Sequence, residues 1–332
     1  MQALPPSPAA RADGRPLPSV AVVGEALVDR FVDAERAGGA PFNLARALAG
    51  FGLDVAFVTR LGVDDAGAAT VRASARRFGL CESGFQLDDT RPTGEVQVIE
   101  SGPEHRFRVQ PGSAWEAIEL DPARRQLQSR APAVLCVGTL AQRGDASRDT
   151  VTTLLRESAA LRFLDVNLRP GHDDRSITER ALHLADWVKV NEDELAFLLV
   201  WFAPRCDPAA PRDSDERTRG IRQLIDRFGI ESLIVTRGGD GYEAWNAAGR
   251  CVASGDGIAV RRMEDSVGAG DAFSAALIAA HLAGRSWPQA LSLANRYAAA
   301  VCAERGPVPD DDEFFSAWRW TLGLHAPHPL VA

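Results

Sequence analysis

Short apolar segments alternate with helical patterns along most of this sequence. Segments rich in Val, Leu and Ile predict buried strands at 19–23, 55–62, 133–137, 162–166, 187–190 and 232–236. Helical spacing predicts helices between them, at 66–78, 150–160, 177–184, 193–199 and 218–228. Strands separated by helices pair in parallel, and the helices then cover both faces of the sheet. We therefore expect a three-layer α/β/α fold with a predominantly parallel central sheet.

Residues 91–110 depart from this alternation. Polar and apolar residues nearly alternate over 95–100 and over 105–109, with Ser101-Gly102-Pro103 between them. This pattern predicts an antiparallel hairpin that is solvated on one face. Such an insertion could close over a binding site as a lid, or it could pair with a second copy of the chain. The two roles are compatible.

The charge and cysteine content narrow the class of protein. A net charge of −8 argues against a general binder of nucleic acid or of a membrane surface. No apolar run reaches the length of a transmembrane helix, and the five cysteines lack C-x-x-C spacing. The Pro-rich, Arg-containing stretch 1–18 has no apolar region of a signal peptide and predicts a disordered tail. We therefore expect a cytoplasmic protein.

The stretch from Asp265 to Phe273 carries the strongest chemical signal. Gly268, Ala269 and Gly270 precede a predicted helix, so their N–H groups could all point at one anion, where the helix dipole adds positive charge. Asp271 follows in the first turn, where a carboxylate could take the proton of an attacking hydroxyl. The same residues also fit an ordinary tight turn. A nicotinamide-binding fingerprint fits poorly, because Phe273 stands where the third glycine is needed.

Polar clusters follow several of the predicted strands. The clusters are 165–169, 191–194 and 236–241, and Asp29 and Asn43 lie near the end of the first strand. Each cluster alone fits a helix cap or a turn. Because parallel strands end at one edge of a sheet, the clusters together would surround one crevice. Carboxylates, a guanidinium and a glycine-rich turn are what a nucleoside triphosphate with Mg²⁺ requires.

Two motifs together resemble the ribokinase-like (PfkB) carbohydrate kinase family, and within it fructokinases and 2-keto-3-deoxygluconate kinases. The first motif is Gly38-Gly39-Ala40-Pro41-Phe42-Asn43-Leu44-Ala45, and the second is Asp265-Ser266-Val267-Gly268-Ala269-Gly270-Asp271. The resemblance spans about 20–309. It implies one kinase domain at 19–320 with lid segments near 29–40 and 91–110, and a tail at 321–332. It also favours an anion-binding role for Gly268–Gly270 over the ordinary tight turn that the same residues fit.

The resemblance implies roles for the matched residues. Asp271 would be the catalytic base, and Gly268, Ala269 and Gly270 would form the anion hole. The residues implied to contact the nucleotide are Asn191, Glu194, Thr236, Gly238, Gly241 and Asn295, with Glu194 holding Mg²⁺ through water. Those implied to contact the sugar are Asp29, Gly39, Asn43 and Arg169. Asp265 and the carbonyl of Val267 would hold a K⁺ ion.

Some residues depart from the family pattern. Ser266-Val267 replaces the common Thr-Thr, which puts the need for K⁺ in doubt, and Phe42 is bulkier than usual and could narrow the pocket. Arg237 in the nucleotide turn has no assigned role. The resemblance implies an ATP-dependent sugar kinase, with fructose the first choice and 2-keto-3-deoxygluconate or another ketose the next. The alternating hairpin at 91–110 separately predicts a homodimer formed through edge-to-edge pairing of the lid. A non-catalytic binding protein is the alternative from another class.

Overall fold

The computed structural model describes residues 10, 15–31, 34–101, 104–169, 171, 173–204, 206–207 and 214–324. Its strands are β1 (Val20–Val23), β2 (Leu27–Arg30), β3 (Glu35–Gly38), β4 (Val55–Gly62), β5 (Phe85–Asp88), β6 (Gly94–Ser101), β7 (Glu104–Val109), β8 (Val134–Val137), β9 (Leu161–Asp165), β10 (Trp187–Asn191), β11 (Ser232–Thr236), β12 (Tyr242–Asn246) and β13 (Cys251–Gly255). Its α-helices are α1 (Ala40–Gly50), α2 (Ala66–Arg77), α3 (Leu120–Arg130), α4 (Asp145–Glu157), α5 (Arg175–Leu182), α6 (Glu192–Phe202), α7 (Asp215–Phe228), α8 (Ala269–Leu282), α9 (Trp287–Val301) and α10 (Asp312–Leu322).

Nine strands form the central sheet, in the order β13-β12-β11-β10-β9-β8-β1-β4-β5. The pairs from β11 to β5 are parallel, whereas β12 and β13 add an antiparallel edge. Side chains of β1 alternate between the two faces, because successive residues of a strand point in opposite directions. Val20 and Val22 join one apolar cluster, and Ala21 and Val23 join the other.

Helices cover both faces of this sheet. One apolar cluster contains residues of α1, α2, α8, α9 and α10, and the other contains residues of α3 to α7. This arrangement confirms the predicted three-layer α/β/α fold. Several elements were not predicted, among them strand β5, the antiparallel pair β12 and β13 that follows the glycine-rich turn, and helix α3. Helix α3 buries only Ala123 and Leu127, so its apolar signal is weak.

A second, smaller sheet has the order β3-β2-β6-β7. The predicted hairpin is confirmed, because β6 and β7 pair antiparallel with Val96 opposite Val109. Leu27, Val96 and Val109 pack with Trp115 and Leu140 in a separate apolar cluster. The small sheet thus presents an apolar face to the carboxyl-end loops of the large one.

Several predicted boundaries differ from the structure. Helix α4 begins at Asp145 rather than at residue 150, because Gly144 ends the preceding loop and an acidic residue is favoured in a first turn. Helix α10 runs to Leu322, and Leu322 and Leu324 are buried, so packed structure extends past residue 320. Most of the predicted tail 1–18 lies outside the described residues. The same holds for residues 205, 208–213 and 325–332. Within the described ranges, the helices are too short or too polar to cross a bilayer.

Candidate active site

The start of α8 needs two glycines for different reasons. Gly268 has φ +80°, and a Cβ there would lie 2.5 Å from the Cβ of Pro307. A Cβ on Gly270 would lie 2.7 Å from Nζ of Lys189. Gly268 therefore excludes a side chain, since its Cβ would also meet the backbone of Pro307, whereas a side chain at Gly270 would require the end of Lys189 to shift.

The N–H groups of this turn are not equivalent. Ala269 donates its N–H to the carbonyl of Ser266 at 3.3 Å, whereas Gly268 and Gly270 have no such acceptor among the described residues. Gly268 and Gly270 also line the same cavity as Asp271, whereas Ala269 does not line it. Of the three donors predicted from the sequence, two are therefore free in this structure, and the third is weakly engaged.

Asp271 is a buried carboxylate in the first turn of α8, only 9% exposed. Its Oδ2 accepts a hydrogen bond of 2.8 Å from Nδ2 of Asn43. Burial, together with the charge of Asp165, raises the pKa of Asp271 to about 6, although Asn43 and two nearby cations oppose the shift. Asp271 is therefore mainly ionised at neutral pH and is a much stronger base than an exposed aspartate.

Asn43 is held in one orientation by Arg46 of the same helix. Arg46 donates to Oδ1 of Asn43 at 2.5 Å and to the carbonyl of Ala37 at 3.0 Å. The amide oxygen therefore faces Arg46, and the amide nitrogen faces Asp271. Asn43 lies within α1 and is not a helix cap, because α1 begins at Ala40 and the cap position is Gly39.

Gly39 brings two segments of the backbone together at the entrance to α1. It has φ +104°, and a Cβ there would lie 2.7 Å from the carbonyl oxygen of Glu25. The expectation that Phe42 narrows the pocket is wrong. Phe42 is fully buried and stacks on Phe57, with ring centroids 5.4 Å apart, so it belongs to the core.

A cavity of about 400 Å³ lies between the two sheets; we call it the acceptor cavity. The four residues predicted to contact the sugar, Asp29, Gly39, Asn43 and Arg169, all line it, together with Asp271. Asp29 lies in β2. Burial raises the pKa of Asp29 to about 6, against the opposing charges of Arg169, Arg46 and Arg36. Leu27, Val96, Val109 and Leu140 give the cavity one apolar wall.

Glu25 was not predicted as a site residue. It lines the acceptor cavity, is 2% exposed, and its Oε2 has no hydrogen-bond partner among the described residues. Burial raises its pKa to about 7. The signal in the sequence was its position directly after Gly24, where the buried strand β1 ends.

A second cavity of about 380 Å³, the nucleotide cavity, lies on the other side of the α8 start. Thr236, Gly238, Gly241 and Asn295, four of the residues that the resemblance implies contact the nucleotide, line it. The prediction missed its apolar lining, which consists of Ile258, Ala259, Val260, Met263, Phe273, Ala298, Ala299 and Cys302. This lining suits a flat, apolar ring system. The two cavities share Thr236, Gly238, Ser266 and Gly270, so they meet at the N-terminus of α8.

The glycine-rich turn has both of the roles considered for it. It joins the antiparallel strands β11 and β12, and it lines the nucleotide cavity. The N–H of Arg237 donates to the carbonyl of Gly241 at 2.8 Å and closes the turn. The guanidinium of Arg237 donates to the carbonyls of Asp240 at 3.2 Å and Tyr242 at 3.3 Å, so these contacts of Arg237 are structural.

Asn191 and Glu194 form a capping box at the start of α6. Oε1 of Glu194 accepts from the N–H of Leu168 at 2.9 Å, and Oε2 accepts from the N–H of Asn191 at 2.8 Å. Burial raises the pKa of Glu194, although Lys189 opposes the shift. No cluster of three His, Cys, Asp or Glu side chains suited to a metal occurs within the described ranges. Each carboxylate oxygen of Glu194 accepts one backbone hydrogen bond and keeps a further lone pair, so Glu194 could act, directly or through water, on an Mg²⁺ ion held mainly by phosphate.

The predicted K⁺ residues lie just before α8. Oδ1 of Asp265 accepts from the N–H of Val267 at 2.9 Å, which turns the chain toward Gly268. The other carboxylate oxygen and the Val267 carbonyl are of the ligand type that K⁺ takes.

A further residue that the sequence prediction missed is Lys189, which lies in the middle of β10 and lines the acceptor cavity.

Comparison with known proteins agrees with this geometry. Residues 19–313 match the model of the pfkB family carbohydrate kinase. A fructokinase from Salmonella typhimurium is 30% identical over 282 residues, covering 78% of this chain and 82% of that protein. A 2-dehydro-3-deoxygluconokinase from Thermoproteus tenax is 29% identical over 279 residues, covering 81% and 80%.

Solved structures share the fold. A fructokinase with bound ATP from Xylella fastidiosa superposes with a TM-score of 0.74 at 23% identity, covering 90% of this chain and 97% of that one. A fructokinase double mutant from Vibrio cholerae, bound to fructose, ADP and potassium ion, gives a TM-score of 0.72 at 24% identity, covering 91% and 98%.

Proposed function

Because the chain belongs to the pfkB family of carbohydrate kinases, we propose that it transfers the γ-phosphate of ATP to a primary hydroxyl of fructose. One observation carries the proposal. The acceptor cavity and the nucleotide cavity meet at Ser266 and Gly270, and Asp271 lines only the acceptor side. A phosphoryl group at this junction lies between a nucleotide in one cavity and a hydroxyl beside Asp271 in the other.

Asp271 acts as the general base. Its ionised carboxylate takes the proton of the attacking hydroxyl, and the amide of Asn43 holds Oδ2 in place at 2.8 Å. The free N–H groups of Gly268 and Gly270 and the dipole of α8 stabilise negative charge on the transferring group. These donors are fixed before the substrates bind, so little reorganisation is needed during the reaction.

The remaining predicted residues divide between the two substrates. Asn191 and Glu194 border the phosphates and fit a bound Mg²⁺, which would neutralise phosphate charge. Asp265 and Val267 fit a K⁺ ion next to the anion hole, and the Vibrio cholerae relative is described with a potassium ion bound. Asp29, Gly39, Asn43 and Arg169 hold the sugar. Replacing K⁺ by tetramethylammonium in the assay tests the K⁺ site, since unchanged turnover contradicts it.

Two acceptors fit the acceptor cavity. The fructokinase relatives and the apolar wall formed by Leu27, Val96 and Val109 favour a neutral ketose. Arg169, which lines the same cavity, and the relative from Thermoproteus tenax favour 2-keto-3-deoxygluconate. We place fructose first, since the carboxylates of Glu25, Asp29 and Asp271 all lie at this cavity and disfavour an anionic sugar.

The small sheet has two further proposed roles. It covers the acceptor cavity as a lid, which excludes water from the phosphoryl donor. Its edge strands β3 and β7 leave unpaired backbone groups that suit pairing with a second copy of the chain. Sedimentation at assay concentration tests the homodimer, and a monomer there contradicts it.

The deciding experiment measures ADP release from Mg²⁺-ATP with fructose, ribose, 2-keto-3-deoxygluconate, tagatose and adenosine. We expect the highest kcat/KM with fructose, and loss of turnover in Asp271→Asn by several orders of magnitude. A higher kcat/KM with 2-keto-3-deoxygluconate would replace the proposed acceptor. Equal activity of the variant and the wild type would remove Asp271 as the base.

A further inference from the structure

Lys189 is a buried cation in the centre of the large sheet. It is 6% exposed and stands opposite Asp165 in the register of β10 and β9. Its Nζ lies 3.0 Å and 3.1 Å from the two carboxylate oxygens of Asp165. A buried ion pair is expensive to desolvate, and apolar residues of similar volume usually serve stability as well. The pair therefore calls for a reason other than stability.

The ammonium group reaches the start of α8. The space that a Cβ of Gly270 would occupy lies 2.7 Å from Nζ, and Lys189 lines the acceptor cavity. Ser274, one turn later in α8, donates to Oδ2 of Asp165 at 2.9 Å. Asp165 is thus fixed from both the sheet and the helix, and it in turn fixes the position of the ammonium beside Gly270.

One donor of Lys189 is unused by the protein. An ammonium has three N–H donors, and in the described part of the chain the hydrogen bonds of Nζ all go to Asp165. Gly270 is shared by the acceptor and nucleotide cavities, so the free donor lies at their junction. The absence of a side chain at Gly270 is what leaves this donor accessible.

We propose that Lys189 is a catalytic residue whose ammonium donates a hydrogen bond to the transferring phosphoryl group at the junction of the two cavities. The assignment rests on the proposed function of the site. In the reaction, the acceptor oxygen forms its bond to the γ-phosphorus as the bond to the bridging oxygen of ADP breaks. The acceptor proton goes to Asp271, and Lys189 keeps its protons throughout. A full positive charge thereby supplements the partial charge of the helix terminus.

The ionisation of Lys189 agrees with this role. Burial alone would lower its pKa, but the charges of Asp165, Glu194 and Asp271 outweigh burial and raise the pKa above the ordinary value. The ammonium therefore stays charged over the whole working range of pH.

The alternative is that Lys189 only ties the sheet to α8 through Asp165. Three variants separate the two roles. Lys189→Met removes the charge but leaves Asp165 unpaired, and Asp165→Asn/Lys189→Met removes both charges, so no stranded ion remains. Asp165→Asn alone keeps the ammonium, which makes it the matched control. Asp165 also raises the pKa of Asp271, so its replacement changes the ionisation of the base near pH 6. All rates are therefore measured at pH 8, where Asp271 is ionised with or without Asp165.

The experiment compares kcat and KM of these variants with the sugar that the wild-type enzyme phosphorylates fastest. We expect kcat to fall about 100-fold in both Met variants, with KM for the sugar within about threefold, and much less loss in Asp165→Asn. Binding of ADP with aluminium fluoride and sugar, which resembles the transferring group, should weaken by a similar factor, while binding of ADP alone should not change.

The outcomes are distinct. If the double variant regains kcat to within about fivefold of the wild type, Lys189 is structural and the proposal is overturned. If kcat stays low while the thermal midpoint recovers, the proposal stands. If the wild type prefers another sugar to fructose, the proposed acceptor fails, and the Lys189 comparison is still decided with that sugar. Absence of turnover with every sugar overturns both proposals.

Discussion

The acid side of the pH profile should report Asp271 directly. Its pKa of about 6 is raised by burial first and by Asp165 second. The base must be ionised, so activity is present above this pKa and is lost as pH falls through it. For a single group of this pKa, the ionised fraction is about 0.9 at pH 7, about 0.5 at pH 6 and about 0.1 at pH 5. We therefore expect kcat/KM to fall about tenfold from pH 7 to pH 5.

The same pKa predicts an effect on stability. The gap between about 6 and the ordinary aspartate value of about 3.9 corresponds to about 3 kcal/mol. Because the folded-state pKa is raised, this cost of the ionised form applies at neutral pH and disappears as pH falls below both values. Asp271→Asn should therefore raise the free energy of unfolding at pH 7 while abolishing turnover.

The assay is the initial rate of ADP formation from pH 4.5 to pH 9, read by chromatography so that no coupling enzyme limits the range. Glu25 and Asp29 titrate nearby, with pKa values of about 7 and about 6. Glu25→Gln removes the titration of Glu25 and is the control for that residue. In this variant the fall of kcat/KM at low pH should stay centred near pH 6. The reasoning is refuted if kcat/KM is flat down to pH 5, or if Asp271→Asn keeps a tenth of wild-type activity.

Three further substitutions test the supports of the site. Asn43→Ala removes the donor to Asp271, so the acid limb should move upward from pH 6 and kcat/KM should fall at least about tenfold; a limb that stays in place would argue against this hydrogen bond. Gly268→Ala, with φ +80° and a Cβ 2.5 Å from Pro307, should lower kcat/KM at least about tenfold, whereas Gly229→Ala, with φ +68° and open space, should affect only stability. Arg46→Met leaves the Ala37 carbonyl and the Asn43 amide oxygen unpaired and should cost about 2 to 4 kcal/mol in chemical denaturation, and a loss below about 1 kcal/mol would contradict it.

The fold could be predicted because its signals are local. The apolar runs and helical spacing that define β1, β4, β8 to β11 and the intervening helices are written in consecutive residues, and parallel pairing follows from the helices between strands. The predicted anion-binding segment from Gly268 to Asp271 could be recognised for the same reason, since a turn and the helix that follows it are one short segment. The antiparallel edge β12 and β13 was missed, because the apolar and turn patterns there do not distinguish an added edge from a loop.

The partners of the site residues were a matter of tertiary structure. Asn43 and Asp271 are 228 residues apart, and Ser274 and Asp165 are 109 residues apart. Local patterns contain nothing about which distant side chains meet. A lysine between valines in a buried strand was a signal for Lys189, but its place beneath Gly270 depends on how β10 and α8 pack.

The sequence by itself thus determined the layers, the family resemblance and the position of the segment from Gly268 to Asp271, since each is encoded in contiguous residues. Only the tertiary structure decided which donors of that loop are free, how Asn43 is oriented, and which carboxylates are buried deeply enough to change their pKa. Burial and electrostatic coupling are properties of the assembled site, because they depend on every atom around a group and not on its neighbours in the chain.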